Sequence, residues 1–204
     1  QLDAGASDAC GTALVCGDEL PSVIEFGCGD VGVQTGPVVV TDNNGNSSNC
    51  TSNVTIEDSV APVAVCQDAS VTLDELGNAG LLAAAIDNGS GDACGIESLS
   101  LNLPDLDCNN IGGQLVTLTV EDVNGNISTC QSTVTVEDNT PPVASCQNIT
   151  VELGPDGTAT IGVDQINSGS SDACGLAEIG LNIATFDCAD IGPNNVLLTA
   201  QDFS

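Results

Sequence analysis

Cysteines return along this chain every 80 residues. Cys66, Cys94 and Cys108 recur as Cys146, Cys174 and Cys188, and Cys28 and Cys50 stand 80 positions ahead of Cys108 and Cys130. The residues around them repeat as well: "DSVAPVAVCQDASVTL" (58–73) matches "DNTPPVASCQNITVEL" (138–153), and "GDACGIESLSLN" (91–102) matches "SDACGLAEIGLN" (171–182). Whatever the chain folds into must satisfy one plan more than once. A fixed period denotes an array, and 80 residues is long for a solenoid unit yet enough for a small independent domain. The expectation is beads on a string, with a partial repeat at 1–57 lacking its first strands, a complete repeat at 58–137, and a partial repeat at 138–204 lacking its last strands. Both ends read as cut within a repeat, so the chain is expected to be part of something longer.

Inside the complete repeat, Val116, Leu118 and Val120 alternate with Thr117 and Thr119, and Val134 and Val136 with Thr133 and Thr135. Period two marks a half-buried strand. Short strands rich in Val and Thr, separated by Gly, Asn, Asp and Pro clusters, predict an all-β sandwich, with at most one helical turn within 74–86. There is no Trp, Tyr or Met, and Phe26, Phe186 and Phe203 are the only aromatics. A core of small aliphatics buries little area per residue, so covalent staples matter. Cys66 with Cys130 would close a 64-residue loop and tie the sandwich together. Cys94 and Cys108 flank one strand-like segment and are expected to pair locally, as are Cys174 and Cys188, with Cys10 and Cys28 the disulfide candidates of the first repeat. The partner of Cys146 is expected past Ser204 and that of Cys50 before Gln1, while Cys16 is left open between Cys10 and Cys50. Eleven cysteines at ordered spacings place the chain in an oxidising compartment, outside the cytosol.

Charge narrows the partners. The chain has 29 acidic residues and no Lys, Arg or His. With nothing to neutralise phosphates, nucleic acid and anionic membrane surfaces are set aside. Carboxylates closer than a Debye length of about 10 Å at 0.1 M salt repel one another, and a divalent cation, calcium, is the usual extracellular counter-charge. Acidity alone would fit a disordered tail, but 41% hydrophobic residues clustered in runs are too many for one. No apolar run reaches the roughly 18 residues of a membrane span, so direct membrane insertion is not expected.

The order P-P-V-x-x-C-x-N-I-T-V, then S-D-A-C-G, then V-T-L-T-V-x-D-x-N-G-N-x-S-T-C-x-S-T-V-T-V resembles the hyalin-repeat (HYR) domain, an immunoglobulin-like extracellular module. It is similar in particular to the tandem HYR-like repeats of very large secreted cell-surface adhesins of Bacteroidota, including those used in gliding motility. The resemblance covers essentially the whole chain. It implies tandem immunoglobulin-like β-sandwich modules, disulfide-stapled and arranged as an extended rod, in a surface-exposed adhesive or spacer array. It implies no catalytic residues.

Several short motifs invite a cation. Asp122, Asn124 and Asn126 place oxygens at positions one, three and five of a loop, as do Asp42, Asn44 and Asn46. Alternate oxygens suit a hard cation, although the glycine at position four and the missing Glu at twelve exclude an EF-hand. The stronger reading of the same loop is a plain hairpin, with Asn124-Gly125 as a type I′ turn. At the repeat junctions, Glu57 with Asp58 and Glu137 with Asp138 resemble the calcium-binding linkers of cadherin-type arrays, or else form a solvated acidic linker with prolines that end the ladder. Asp92 and Asp172, each in "DACG", are either further calcium ligands or the acceptors of Asx turns. Asn46, Asn53, Asn88, Asn126 and Asn148 head N-glycosylation sequons that would be idle in a bacterial protein, and Asp58-Ser59-Val60 is a weak match to a Bacteroidota O-glycosylation motif at Ser59. With no His, Lys or Tyr as base and no sugar-stacking aromatic, catalysis is not expected. Three functions remain in view: a structural and adhesive array whose partners are further repeats of the same chain or neighbouring copies, a module binding surface glycans through the Asp92 and Asp172 loops, and a filament subunit completed by neighbouring chains.

Overall fold

The computed structural model describes residues 24–42 and 44–203. Among them the chain is mostly β, and it divides into two compact units. The first comprises Gln1–Pro62 with the segments Gly91–Glu97 and Glu121–Ile127, and the second comprises Val63–Ser90, Ser98–Val120 and Ser128–Ser204.

In the first unit β1 (Gly32–Thr41) and β2 (Ser47–Ile56) form an antiparallel hairpin, Gly32 opposite Ile56 and Thr41 opposite Ser47. The larger architecture belongs to the complete repeat. There β3 (Ala69–Thr72) is followed by β4 (Asn78–Gly80), the single helical turn α1 (Ala83–Ile86), β5 (Ile96–Leu101), β6 (Asp105–Asp107), β7 (Gly112–Asp122) and β8 (Ile127–Glu137). One four-stranded sheet runs β3-β8-β7-β5, and β4 pairs with β6 in a second, two-stranded sheet. β3 lies parallel to β8, with Ala69 opposite Val134 and Val71 opposite Val136.

The alternating sequence is what divides the faces. Along β7, Val116, Leu118 and Val120 are fully buried while Thr117 and Thr119 are not, and along β8 Val134 and Val136 are buried between exposed Thr133 and Thr135. Leu73, Leu81, Ile86 and Leu106 complete the buried aliphatic set. At about 25 cal/mol per Å², such small side chains each contribute roughly 1.5–3 kcal/mol.

The third repeat copies the same plan. β9 (Ala159–Thr160) pairs with β11 (Thr185–Phe186) as β4 does with β6, α2 (Val163–Ile166) repeats α1, and β10 (Glu178–Leu181) pairs with β12 (Leu198–Gln201). Its core is Ile161, Ile166 and Leu198, with Val163, Ile179, Leu181, Phe186 and Val196 packed on them. The period holds in the backbone as well: Gly77 and Gly157 share a positive φ, as do Gly45 and Gly125.

The turn at Asp122 departs from expectation. A type I′ turn needs positive φ at both central residues, but no described residue other than glycine has one. The loop is instead three residues long. Asp122 N–H donates to Asn126 O at 3.0 Å, Gly125 N–H donates to Asp122 O at 3.2 Å, and Gly125 alone is left-handed, at φ 87°. That is a type I turn closed by a glycine bulge.

Candidate functional site

The disulfides define the framework in which every candidate residue sits. Cys66 is bonded to Cys130, as expected from the strand layout. The local pairs are not formed: Cys28 is bonded to Cys94, and Cys108 to Cys174, each across 66 positions. Cys188, expected to pair with Cys174, is a free, exposed thiol, as are Cys50 and Cys146. Cys10 and Cys16 lie outside the described residues. The physical reason is the strand between Cys94 and Cys108. β5 is six residues of extended chain, which at about 3.3 Å per residue carries the backbone roughly 20 Å, and the chain then passes to β6 in the other sheet rather than returning. Cys94 precedes β5 and Cys108 follows β6, and each meets instead a cysteine 66 positions away at 5.1 Å between Cα atoms, within the range a disulfide needs. Each bond therefore joins one repeat to the next.

Both halves of this link are held by aspartates. Asp107 starts a tight turn over Cys108–Asn110: its carboxylate accepts from Asn109 N–H at 2.8 Å, while its own N–H donates to Asn110 Oδ1 at 2.9 Å. The other half uses "DACG". Asp92 Oδ1 accepts from Cys94 N–H and Asp172 Oδ1 from Cys174 N–H, both at 2.7 Å. So the Asx-turn role holds for these two residues. Gly77 closes the seat, because a Cβ there would fall 2.5 Å from Cys108 Sγ and 3.3 Å from Cys174 Sγ.

The candidate cation ligands separate into three kinds. In the hairpin loops the aspartate is already engaged. Asp122 Oδ1 accepts from Asn124 and Asn126 N–H and its Oδ2 from Asn126 Nδ2, all at 2.8 Å, and Asp42 repeats this with Asn44 and Asn46. Asn46 and Asn126 thus turn donors, not oxygens, toward the loop. Burial works against the charge of Asp122, but the bonds from Asn126 and Asn124 outweigh it and hold the carboxyl below the usual carboxylate value; the Asn46 side chain leads the same effect at Asp42. Glu57 and Glu137 are exposed.

The junction aspartates are brought together with the "DACG" aspartates. A carboxylate oxygen of Asp58 and one of Asp92 lie within 4.8 Å of each other and of Cys94 Sγ, and Asp138, Asp172 and Cys174 repeat the group. The sulfurs are in disulfides, so they are not thiolate ligands. What remains in each is a pair of like charges. Asp58 Oδ1 accepts from Val60 N–H at 3.0 Å, while Asp58 Oδ2 is buried with no hydrogen-bond partner. Asn124 Oδ1 is likewise buried and unpartnered, and its loop reaches Asp58 through Asn126 Nδ2, which donates to Asp58 O at 3.2 Å. Carboxylate oxygens within 4.8 Å of each other are close enough to share one calcium ion at 2.3–2.6 Å each. The chemistry of the donor set fits the ion.

No protein-family model matches this chain, and no curated protein matches it. Among the described residues no helix is long and apolar enough to cross a membrane.

Proposed function

We propose that the chain is a non-enzymatic structural and adhesive repeat region of a large extracellular cell-surface protein, of the HYR-like, immunoglobulin-like kind, in which disulfides carry load from repeat to repeat and calcium steadies the junctions. The observation that carries this reading is the linkage of Cys28 to Cys94 and of Cys108 to Cys174. An array under tension gains from such links: the covalent route from Cys28 to Cys174 crosses two disulfides and only the fourteen positions from Cys94 to Cys108.

Pulling on single chains tests this. Between Cys28 and Cys174 the oxidised chain should yield about 50 Å and the reduced chain about 500 Å, at roughly 3.5 Å per residue. Equal extensions with and without reductant would exclude a load-bearing role. A saturable glycan affinity lost in Asp92→Asn would point instead to a glycan-binding module. Calcium is supported by the two orphaned oxygens, Asp58 Oδ2 and Asn124 Oδ1. Chelation by EDTA should lower the melting temperature of the chain and not that of Asp58→Asn/Asp138→Asn, in which both carboxylate pairs are broken; identical curves with and without chelator would remove calcium from the proposal.

A further inference from the structure

The two carboxylate pairs lie against sulfur. Oxygens of Asp58 and Asp92 are within 4.8 Å of Cys94 Sγ, and those of Asp138 and Asp172 are as close to Cys174 Sγ. Both sulfurs belong to the bonds that join one repeat to the next, Cys28–Cys94 and Cys108–Cys174. The bond within the complete repeat is different: neither Cys66 nor Cys130 belongs to such a group among the described residues. One molecule thus holds two kinds of disulfide, which differ in the charge beside them.

Backbone bonds fix these carboxylates in place. Asp92 Oδ1 accepts from Cys94 N–H and Asp172 Oδ1 from Cys174 N–H, both at 2.7 Å, so each charge is tied to the residue whose sulfur it faces. Asp58 Oδ1 accepts from Val60 N–H and Asp138 Oδ1 from Thr140 N–H, both at 3.0 Å. No basic side chain offsets them, since the chain has no Lys, Arg or His. Water screens them poorly: Asp138 is 5% exposed, and Asp58 Oδ2 is buried without a partner.

Thiol–disulfide exchange is sensitive to charge placed there. A thiolate attacks one sulfur; a new S–S bond forms, the old one breaks, and the other sulfur leaves with the electron pair and takes up a proton. A second thiol then attacks the mixed disulfide, so that two thiols depart as one small disulfide and the protein keeps two S–H groups. During attack the negative charge is spread over three sulfurs, and one of them is Cys94 Sγ or Cys174 Sγ whichever end is struck. Cys28 is exposed and Cys94 half-buried, so the open approach is at Cys28 and the charge is delivered to Cys94, beside both aspartates. One unit charge 4.8 Å from another in bulk water alters a rate about fourfold. A pair compounds it.

We propose that the aspartate pairs are charge gates on the repeat-to-repeat disulfides. Asp58 with Asp92, and Asp138 with Asp172, determine which thiols open Cys28–Cys94 and Cys108–Cys174: anionic thiols are excluded and cationic ones admitted, a discrimination that Cys66–Cys130 lacks. The gate is a property of the metal-free pair, so it stands or falls apart from the calcium reading.

The test uses the full oxidised chain with its free thiols alkylated, Cys50, Cys146 and Cys188 among them. It is treated in EDTA with cysteamine, a cationic thiol, or with mercaptoethanesulfonate, an anionic one. Newly opened cysteines take a second label and are mapped by mass spectrometry after digestion at acidic residues. Each rate is divided by that of Cys66–Cys130 in the same sample, which cancels the reagents' own reactivity and the field of the whole chain. The ratio for cysteamine should exceed that for mercaptoethanesulfonate about tenfold at both gated bonds. Asp58→Asn/Asp92→Asn keeps the acceptor oxygens and should bring the contrast at Cys28–Cys94 to within about twofold, leaving that at Cys108–Cys174 in place. Asp138→Asn/Asp172→Asn should do the reverse. Equal ratios for the two thiols in the wild type, or an undiminished contrast at Cys28–Cys94 in Asp58→Asn/Asp92→Asn, would overturn the gate. The wild-type comparison needs no substitution, so it decides the matter even where a variant fails to fold.

Discussion

Asp122 illustrates how one side chain is spent. It is 1% exposed and carries a charge, which is costly unless the charge is bonded. Three N–H groups from Asn124 and Asn126 meet it, and the turn forms around them. The residue types of this loop were legible in the sequence, and so were its two readings, turn and cation loop. The turn class was not, because Asn-Gly fits two hairpin geometries and the aspartate's bonds select the one that leaves Asn124 right-handed. Since the folded carboxyl is held below its unfolded value of 3.8, its contribution to stability is complete above that pH and is lost as pH falls through the lower, folded value. Asp122→Asn should therefore melt below wild type at pH 7, and the gap should close as pH falls below 3.8. A constant gap between pH 7 and 2.5 would show that shape, not charge, is what matters there.

Among the strands, β7 and β8 follow directly from the Val/Thr alternation, and their buried positions are the ones the pattern marks. β4 and β6 are three residues each, too short for a period to show. The paired cysteines failed for a related reason: spacing along the chain says how many residues lie between two thiols but not whether those residues run straight. Cys94 precedes β5 and Cys108 follows β6, and only the strand pairing fixes which thiols meet. The carboxylate pairs were legible as residues, not as neighbours, since Asp58 and Asp92 meet through tertiary folding. The buried row on β7 gives a direct check. Leu118→Ala should cost about 2–5 kcal/mol, whereas Leu115→Ala on the same strand, 62% exposed, should stay within about 0.5 kcal/mol. Urea unfolding curves monitored by circular dichroism would separate them; equal losses would mean that β7 does not divide its faces as described.

Taken as one covalent object, the three disulfides among the described residues are staggered so that their loops overlap. The bonds between repeats enclose 28–94 and 108–174, and the stretch from Cys94 to Cys108 that neither encloses falls within the loop closed by Cys66 and Cys130. Every backbone position from Cys28 to Cys174 is thus spanned by at least one sulfur bridge. A protease that cuts anywhere in that interval makes a nick, not two pieces. The oxidised chain, nicked once between those limits, should migrate at full mass on a non-reducing gel and separate only after reduction. In Cys66→Ser/Cys130→Ser, a cut between Cys94 and Cys108 should release two fragments without reductant. Against any hydrolase, a single scission in that interval would leave the chain in one piece.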